Sequence, residues 1–176
     1  MTIHDIKHSG IVWLWLSGLV FGLDQLTKYL ASHYLELYKS VDVLPFFSIT
    51  LAHNTGAAFS FLNDASGWQR WFFTIIAVGV SSAIIFWLRR LSSTDKWIST
   101  ALALILGGAL GNVWDRITLG YVIDFIDFYY NSWHWPAFNV ADSAITVGAV
   151  MLVIDGLFLH KKKAMTPSGS GTVEGE

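Results

Sequence analysis

Four long apolar runs, separated by polar stretches, set the pattern of this chain. They are "IVWLWLSGLVFGLDQLTKYL" (11–30), "WFFTIIAVGVSSAIIFWL" (71–88), "WISTALALILGGALGNVW" (97–114) and a run from about Pro136 to His160. A helix needs roughly 20 mostly apolar residues to cross a bilayer, so each run predicts a transmembrane helix. A cleavable signal peptide explains the first run poorly, because Asp24 and Lys28 stand where a small-residue cleavage site belongs. Basic residues set the expected orientation. Lys7 precedes the first run, Arg89, Arg90 and Lys96 flank the link between the second and third, and Lys161–Lys163 follow the fourth. The positive-inside rule puts these regions, and both termini, in the cytoplasm. Regions 31–70 and 115–136 then face outward.

The outer regions carry a second period. "FSITLAHN" alternates Phe47, Ile49, Leu51 and His53 with Ser48, Thr50, Ala52 and Asn54, which is the period of a strand. "NTG" (54–56) predicts a turn and "AAFSF" (57–61) a returning strand, together a small hairpin resting on the membrane surface. The aromatic stretch "FYYNSWHW" (128–135) suits the outer interface. The expected fold is an all-α membrane protein, four transmembrane helices with a small extracytoplasmic β-hairpin. Residues 1–163 are expected to form one integral-membrane domain and residues 164–176 a disordered tail. No internal repeat of the transporter kind is visible.

Composition agrees. Of 176 residues, 53% are hydrophobic and only 14% charged, too few for an ordinary soluble surface. A net charge of −2 gives no reason to expect nucleic acid. The absence of cysteine excludes disulfides, thiol catalysis and cysteine metal sites.

Ionisable groups within membrane helices are costly, and are therefore functional candidates. Asp24 and Lys28, four apart, share one helix face near the outer end of the first run. They are either an ion pair or part of a site. Asn112, Asp115 and Arg116 project together from the outer end of the third run, where Gly107, Gly108 and Gly111 permit close backbone approach. Asn139 and Asp142 share a face at the start of the fourth, and Asp124 lies in the connection leading there. With Asn54, these polar groups can converge at one depth just below the outer surface. Asp155 is expected near the inner end of its helix, away from them. Asp64 and Asp127 fall in outer regions, where solvation is an adequate explanation.

Two carboxylates brought together in a low-dielectric site cannot both ionise comfortably, so one keeps a proton. The ionised member then draws a proton from water while the protonated one polarises a carbonyl. That is aspartyl-type amide hydrolysis, with Asp124 and Asp142 as the candidate pair and no metal or other cofactor expected. There is no HExxH zinc signature and no GxSxG elbow. Spacing alone does not establish that the two aspartates meet. A small proton-coupled transporter, or an assembly protein using polar groups only for helix contact, remains an alternative from these residues.

The residues also resemble a known family. "DQLTK" (24–28), "NTGAAFS" (54–60), "GGALGNVWDR" (107–116), "VIDFIDF" (122–128) and "FNVADSAI" (138–145) are similar, in order and spacing, to the successive motifs of bacterial lipoprotein signal peptidase, signal peptidase II. The resemblance implies an inner-membrane aspartyl endopeptidase that cuts diacylglyceryl-modified prolipoproteins on the amino side of the lipidated cysteine. It assigns catalysis to Asp124 and Asp142. It associates Asn54, Gly56, Asn112, Arg116 and Asn139 with the site or substrate backbone, and Asp24, Lys28 and Asp115 with its support. It implies a β-cradle and a mobile outer segment, which would place Phe59 and Phe61 over the site unless they are ordinary interface aromatics. Arg116 is expected either to meet a substrate carbonyl or to pair with Asp115 or Asp124. The expected partners are the lipidated precursor and membrane lipid, and the expected state is a monomer with its site near the periplasmic face.

Overall fold

In the first membrane helix the buried positions are Ser17, Val20, Asp24, Lys28 and Ala31, recurring every three or four residues along one face. The computed structural model describes residues 9–56 and 67–159. After a 3-10 turn at Gly10–Trp13 come α1 (Leu14–Tyr34), β1 (Ser40–Leu44), β2 (Phe47–Asn54), α2 (Trp68–Arg90) and α3 (Lys96–Thr118). There follow β3 (Val122–Tyr130), β4 (Trp133–His134) and α4 (Val140–Ile154), whose end runs into a π-helical turn, Asp155–Leu159. Four helices are thus long and apolar enough to span a membrane. The expected spans are met, with shifted ends: residues 136–139 are not helical, and Asn139 is the N-cap of α4.

Helix α3 is the centre of the bundle, packed against the other three and mostly buried, whereas those three turn most of their surface outward. Its composition explains this. Ser99, Ala101, Ala103, Gly107, Gly108, Ala109 and Gly111 are all buried, and small side chains let helix backbones come close where no hydrophobic force drives them together. A methyl group on Gly107 would sit 2.7 Å from the carbonyl oxygen of Ser17, and one on Gly108 would strike the carbonyl oxygen of Ala141. The hydroxyl of Ser17 donates to the carbonyl of Ala103 at 2.8 Å, adding a polar tie between α1 and α3. Gly120, at φ +90°, ends α3, and its N–H donates to the carbonyl of Asp115. This left-handed turn, open to glycine, swings the chain directly into β3.

The sheet is larger than a hairpin. Its four strands run antiparallel in the order β1-β2-β3-β4. The partners of β2 are β1, just before it, and β3, about seventy residues later; the expected returning strand at 57–61 lies outside the described residues, as do Phe59 and Phe61. Strict alternation along β2 also fails. Between Ile49 and Ala52 the strand advances three residues while β3 advances two, Ile126 to Asp124. The extra residue switches the face that β2 presents. Ser48 therefore lies beside Asp127, whereas Asn54 reaches Asp124, which lies on the opposite face of β3 from Asp127.

The crossing of α3 and α4 yields a direct test. Gly108→Ala should lower the melting temperature, with an overpacking cost of about 1–3 kcal/mol. Gly22→Ala, where nothing lies within 4 Å of the added methyl, should leave it unchanged or raise it. Equal melting of both variants would contradict the packing.

Candidate active site

A buried ammonium lies at the centre of the polar cluster. Lys28 is 1% exposed, and its Nζ lies 2.8 Å from Asp24 Oδ2 and 2.9 Å from Asp115 Oδ2, and donates to Asn112 Oδ1 at 2.9 Å. Three acceptors meet the three protons of one ammonium. Gln25 bridges the same carboxylates, donating to Asp115 Oδ1 at 2.9 Å and Asp24 Oδ2 at 3.2 Å. Asp24 Oδ1 accepts the N–H of Ala141, in the first turn of α4, and Asp115 Oδ2 accepts the N–H of Ile123, in β3. Gly111 gives Asp24 its room, since a side chain there would meet that carboxylate. The Asp24–Lys28 ion pair is real, and it belongs to the site as well: it joins α1 and α3 to β3 and α4.

Three asparagines are each fixed in direction, Asn112 by this cluster, Asn139 by the cap of α4 and Asn54 by a turn. Lysine only donates, so the amide oxygen of Asn112 turns to Lys28 and its Nδ2 donates to Asp142 Oδ1 at 2.8 Å. Asn139 caps α4: its Oδ1 accepts the N–H of Asp142 at 2.9 Å, and Asp142 Oδ2 accepts the N–H of Asn139 at 3.3 Å, a reciprocal capping box. Its Nδ2 is thereby turned to Asp124 Oδ1, 2.7 Å away, and also reaches the carbonyl of Ile123 at 3.2 Å. Asn54 Oδ1 accepts the N–H of Gly56 at 3.0 Å, the expected turn, which leaves its Nδ2 to donate to Asp124 Oδ2 at 3.0 Å. Each asparagine oxygen is held by a donor, and each amino group is aimed at Asp124 or Asp142.

Asp124 and Asp142 are brought together from β3 and α4. Asp124 is 2% exposed. Burial, reinforced by the Asp142 charge, pushes its carboxyl up to about 7, against the opposing hydrogen bonds of Asn54 and Asn139 and the charge of Lys28. Asp142 stands in the first turn of α4, where the helix's free N–H groups favour negative charge. Against Asp142 is a cavity of about 570 Å³, lined also by Asn54, which holds Asp124, by Asn112, Arg116 and the segment Trp135–Phe138, and it runs on along Ile145–Val147 of α4.

Arg116 departs from one expectation. It forms no ion pair with Asp115, which is taken by Lys28, or with Asp124. It donates instead to the carbonyls of Gly56 (3.1 Å) and Asn112 (3.3 Å) and lies over the ring of Phe73, while its buried Nε has no hydrogen-bond partner among the described residues. Asp127 is a second correction. It is 5% exposed, not solvated, and accepts hydrogen bonds from Ser48, Thr50 and His134. All ten candidate residues gather in one region, and Asp155 sits at the far end of α4, as expected. The sequence reading missed Gln25 and the wall Trp135–Phe138. Gln25 had a signal, since it lies inside the "DQLTK" motif; in the wall only Phe138, at the start of "FNVADSAI", lay in a motif, and Trp135–Ala137 had no signal beyond the aromatic stretch. Among the described residues no group of three or more histidine, aspartate or glutamate side chains is set to hold a metal ion.

Comparison with known proteins converges on one family. The family model described as Signal peptidase (SPase) II matches residues 16–158. A lipoprotein signal peptidase of Alteromonas mediterranea is 53% identical, with 96% of this chain and 92% of that protein covered. One of Pseudomonas aeruginosa is 55% identical, covering 94% and 99%. A solved bacterial membrane enzyme superposes with a TM-score of 0.77 at 30% identity, over 93% of this chain and 98% of its own.

Asp124 carries a pH signature. Its carboxyl is raised in the folded protein from the ordinary 3.8 to about 7. The folded state therefore holds a proton that the unfolded chain releases, so this stability is complete below about pH 4 and is lost as pH rises through about 7. Asp124→Asn should flatten the fall of melting temperature between those limits. An unchanged slope would contradict the assignment.

Proposed function

This chain belongs to the signal peptidase II family and removes signal peptides from prolipoproteins, and on that premise we propose that Asp124 and Asp142 are its catalytic pair. The observation that carries the reading is Asn139, which donates to Asp124 through Nδ2 while its Oδ1 and N–H hold Asp142. One residue thus sets the spacing of both carboxylates. The pair shares one proton and titrates as a unit. One carboxylate takes a proton from a water lying between them, and the water oxygen attacks the carbonyl carbon of the scissile amide. The other donates its proton to the carbonyl oxygen, giving a tetrahedral diol. Return of a proton to the amide nitrogen breaks the C–N bond and releases the signal peptide. The new amine stays on the lipidated cysteine.

Arg116 and Asn54 serve the substrate backbone. An unwound segment needs partners for its carbonyls inside the bilayer, and the unpartnered Nε of Arg116 beside the cavity supports that role. Gly56 belongs to it too, because its carbonyl holds the Arg116 guanidinium in place. Lys28, Asp24 and Asp115 act through Asn112 and Ala141, not on substrate. The signal-peptide helix and acyl chains lie in lipid against the apolar length of α4, where Val147, Val150 and Val153 are exposed. The protein is a multi-pass protein of the bacterial inner membrane. Arg89, Arg90 and Lys96 at one end of the bundle support a cytoplasmic location for that end and both termini, with the site at the periplasmic end. The transporter reading is not favoured, because the family is a peptidase.

In a detergent assay with lipidated precursor, Asp124→Asn and Asp142→Asn should each lower the cleavage rate by at least about a thousandfold, with precursor still bound. Full cleavage by either purified variant would sink the pair.

A further inference from the structure

Peptide-bond cleavage uses Asp124, yet three residues along the same strand is a second buried carboxylate that it does not use. Asp127 Oδ2 accepts the hydroxyl of Ser48 at 3.0 Å, the hydroxyl of Thr50 at 3.3 Å and His134 Nδ1 at 2.9 Å. Thr50 also meets Ser40 Oγ at 2.8 Å. The four strands therefore each supply one end of a single polar network: Ser40 from β1, Ser48 and Thr50 from β2, Asp127 from β3 and His134 from β4. A buried carboxylate is a poor choice for mere stability, since apolar residues of similar volume usually do as well or better. What it supplies is a fixed geometry, and the element most in need of that is β4.

Strand β4 has only two residues and one strand partner, and two-stranded pairing is marginal by itself. The chain leaves β4 directly as Trp135–Phe138, the wall of the cavity that Asp142 lines. Trp135 N–H donates to Phe128 and Phe138 N–H to Ile126, but Pro136 between them has no N–H to give. The far end of the wall is fixed by the Asn139 cap. The near end is fixed by His134, whose ring stacks on Tyr129 at 5.3 Å and whose Nδ1, facing a carboxylate, carries the proton and donates it.

We propose that His134, held by Asp127, is a positioning residue that sets the outer wall of the substrate pocket and so governs precursor binding, not bond cleavage. The proposal rests on the reading of this cavity as the precursor site. The hydrogen bonds that aim three asparagines at Asp124 and Asp142 run through neither His134 nor Asp127, so losing the anchor loosens the wall and leaves the catalytic pair in place.

The test is steady-state cleavage of a lipidated precursor by the full chain in detergent, with precursor affinity measured separately in an Asp124→Asn background. His134→Ala should raise KM and Kd about fivefold, the factor one hydrogen bond carries, with kcat within about twofold of the parent. His134→Asn, which keeps an N–H where Nδ1 stands but has no ring, should restore both to within about twofold. Unchanged KM and Kd in His134→Ala, a loss confined to kcat, or failure of His134→Asn to rescue would each overturn the role. Retained cleavage by Asp124→Asn alone would instead remove the catalytic pair, and leaves the effect of His134 on affinity to be read independently.

Discussion

A lysine ammonium removed from water in the middle of a helical bundle is the constraint on which the rest of this structure depends. Lys28 is tolerable there only because Asp24, Asp115 and Asn112 meet it at 2.8–2.9 Å. Those partners come from two helices, and each carboxylate also holds a backbone N–H of the next element, Ala141 of α4 or Ile123 of β3. Satisfying one charge therefore registers both elements that carry the proposed catalytic carboxylates, β3 and α4. It also settles the direction of the Asn112 amide, and with it which of its atoms faces Asp142.

Such a cluster allows no slack between helices. The small residues of α3 are its counterpart in packing, and Gly111, beside the Asp24 carboxylate, is where the two requirements meet. The sheet contributes differently. Its bulge between Ile49 and Ala52 lets one strand serve both faces, Ser48 for Asp127 and Asn54 for Asp124. Asp124 then sits where burial and a neighbouring carboxylate oppose its ionisation. In the proposed reaction, the proton that the pair shares is the one given to the substrate carbonyl.

Much of this was legible in the sequence, and the rest was hidden for identifiable reasons. The four helices could be read because a bilayer demands a long apolar run and little else. The candidate site could be read because every charge inside such a run asks for a reason, and the ordered motifs supplied the pairing of Asp124 with Asp142 that spacing left open. The sheet was read only in part. "SVDVL" has no buried face to mark it as β1, and "VIDFIDFYY" carries polar groups on both faces, so neither shows a clean alternation. The bulge in β2 broke a period that looked regular. Asp127 looked solvated because its donors Ser48 and Thr50 lie nearly eighty residues away in the chain. Of the two expectations for Arg116, pairing with Asp115 failed because Lys28 already held that carboxylate, a competition that no linear spacing reveals.

The claim that the Lys28 charge reaches the proposed catalytic pair is tested most directly by the pH dependence of kcat/KM for precursor cleavage. The parent should be compared with Lys28→Gln, which keeps a donor but loses the charge, in protein that still melts cooperatively. The Lys28 charge holds down the proton affinity of Asp124, so its removal should move the alkaline limb of the profile to higher pH. An alkaline limb at the same pH in both proteins would contradict the account.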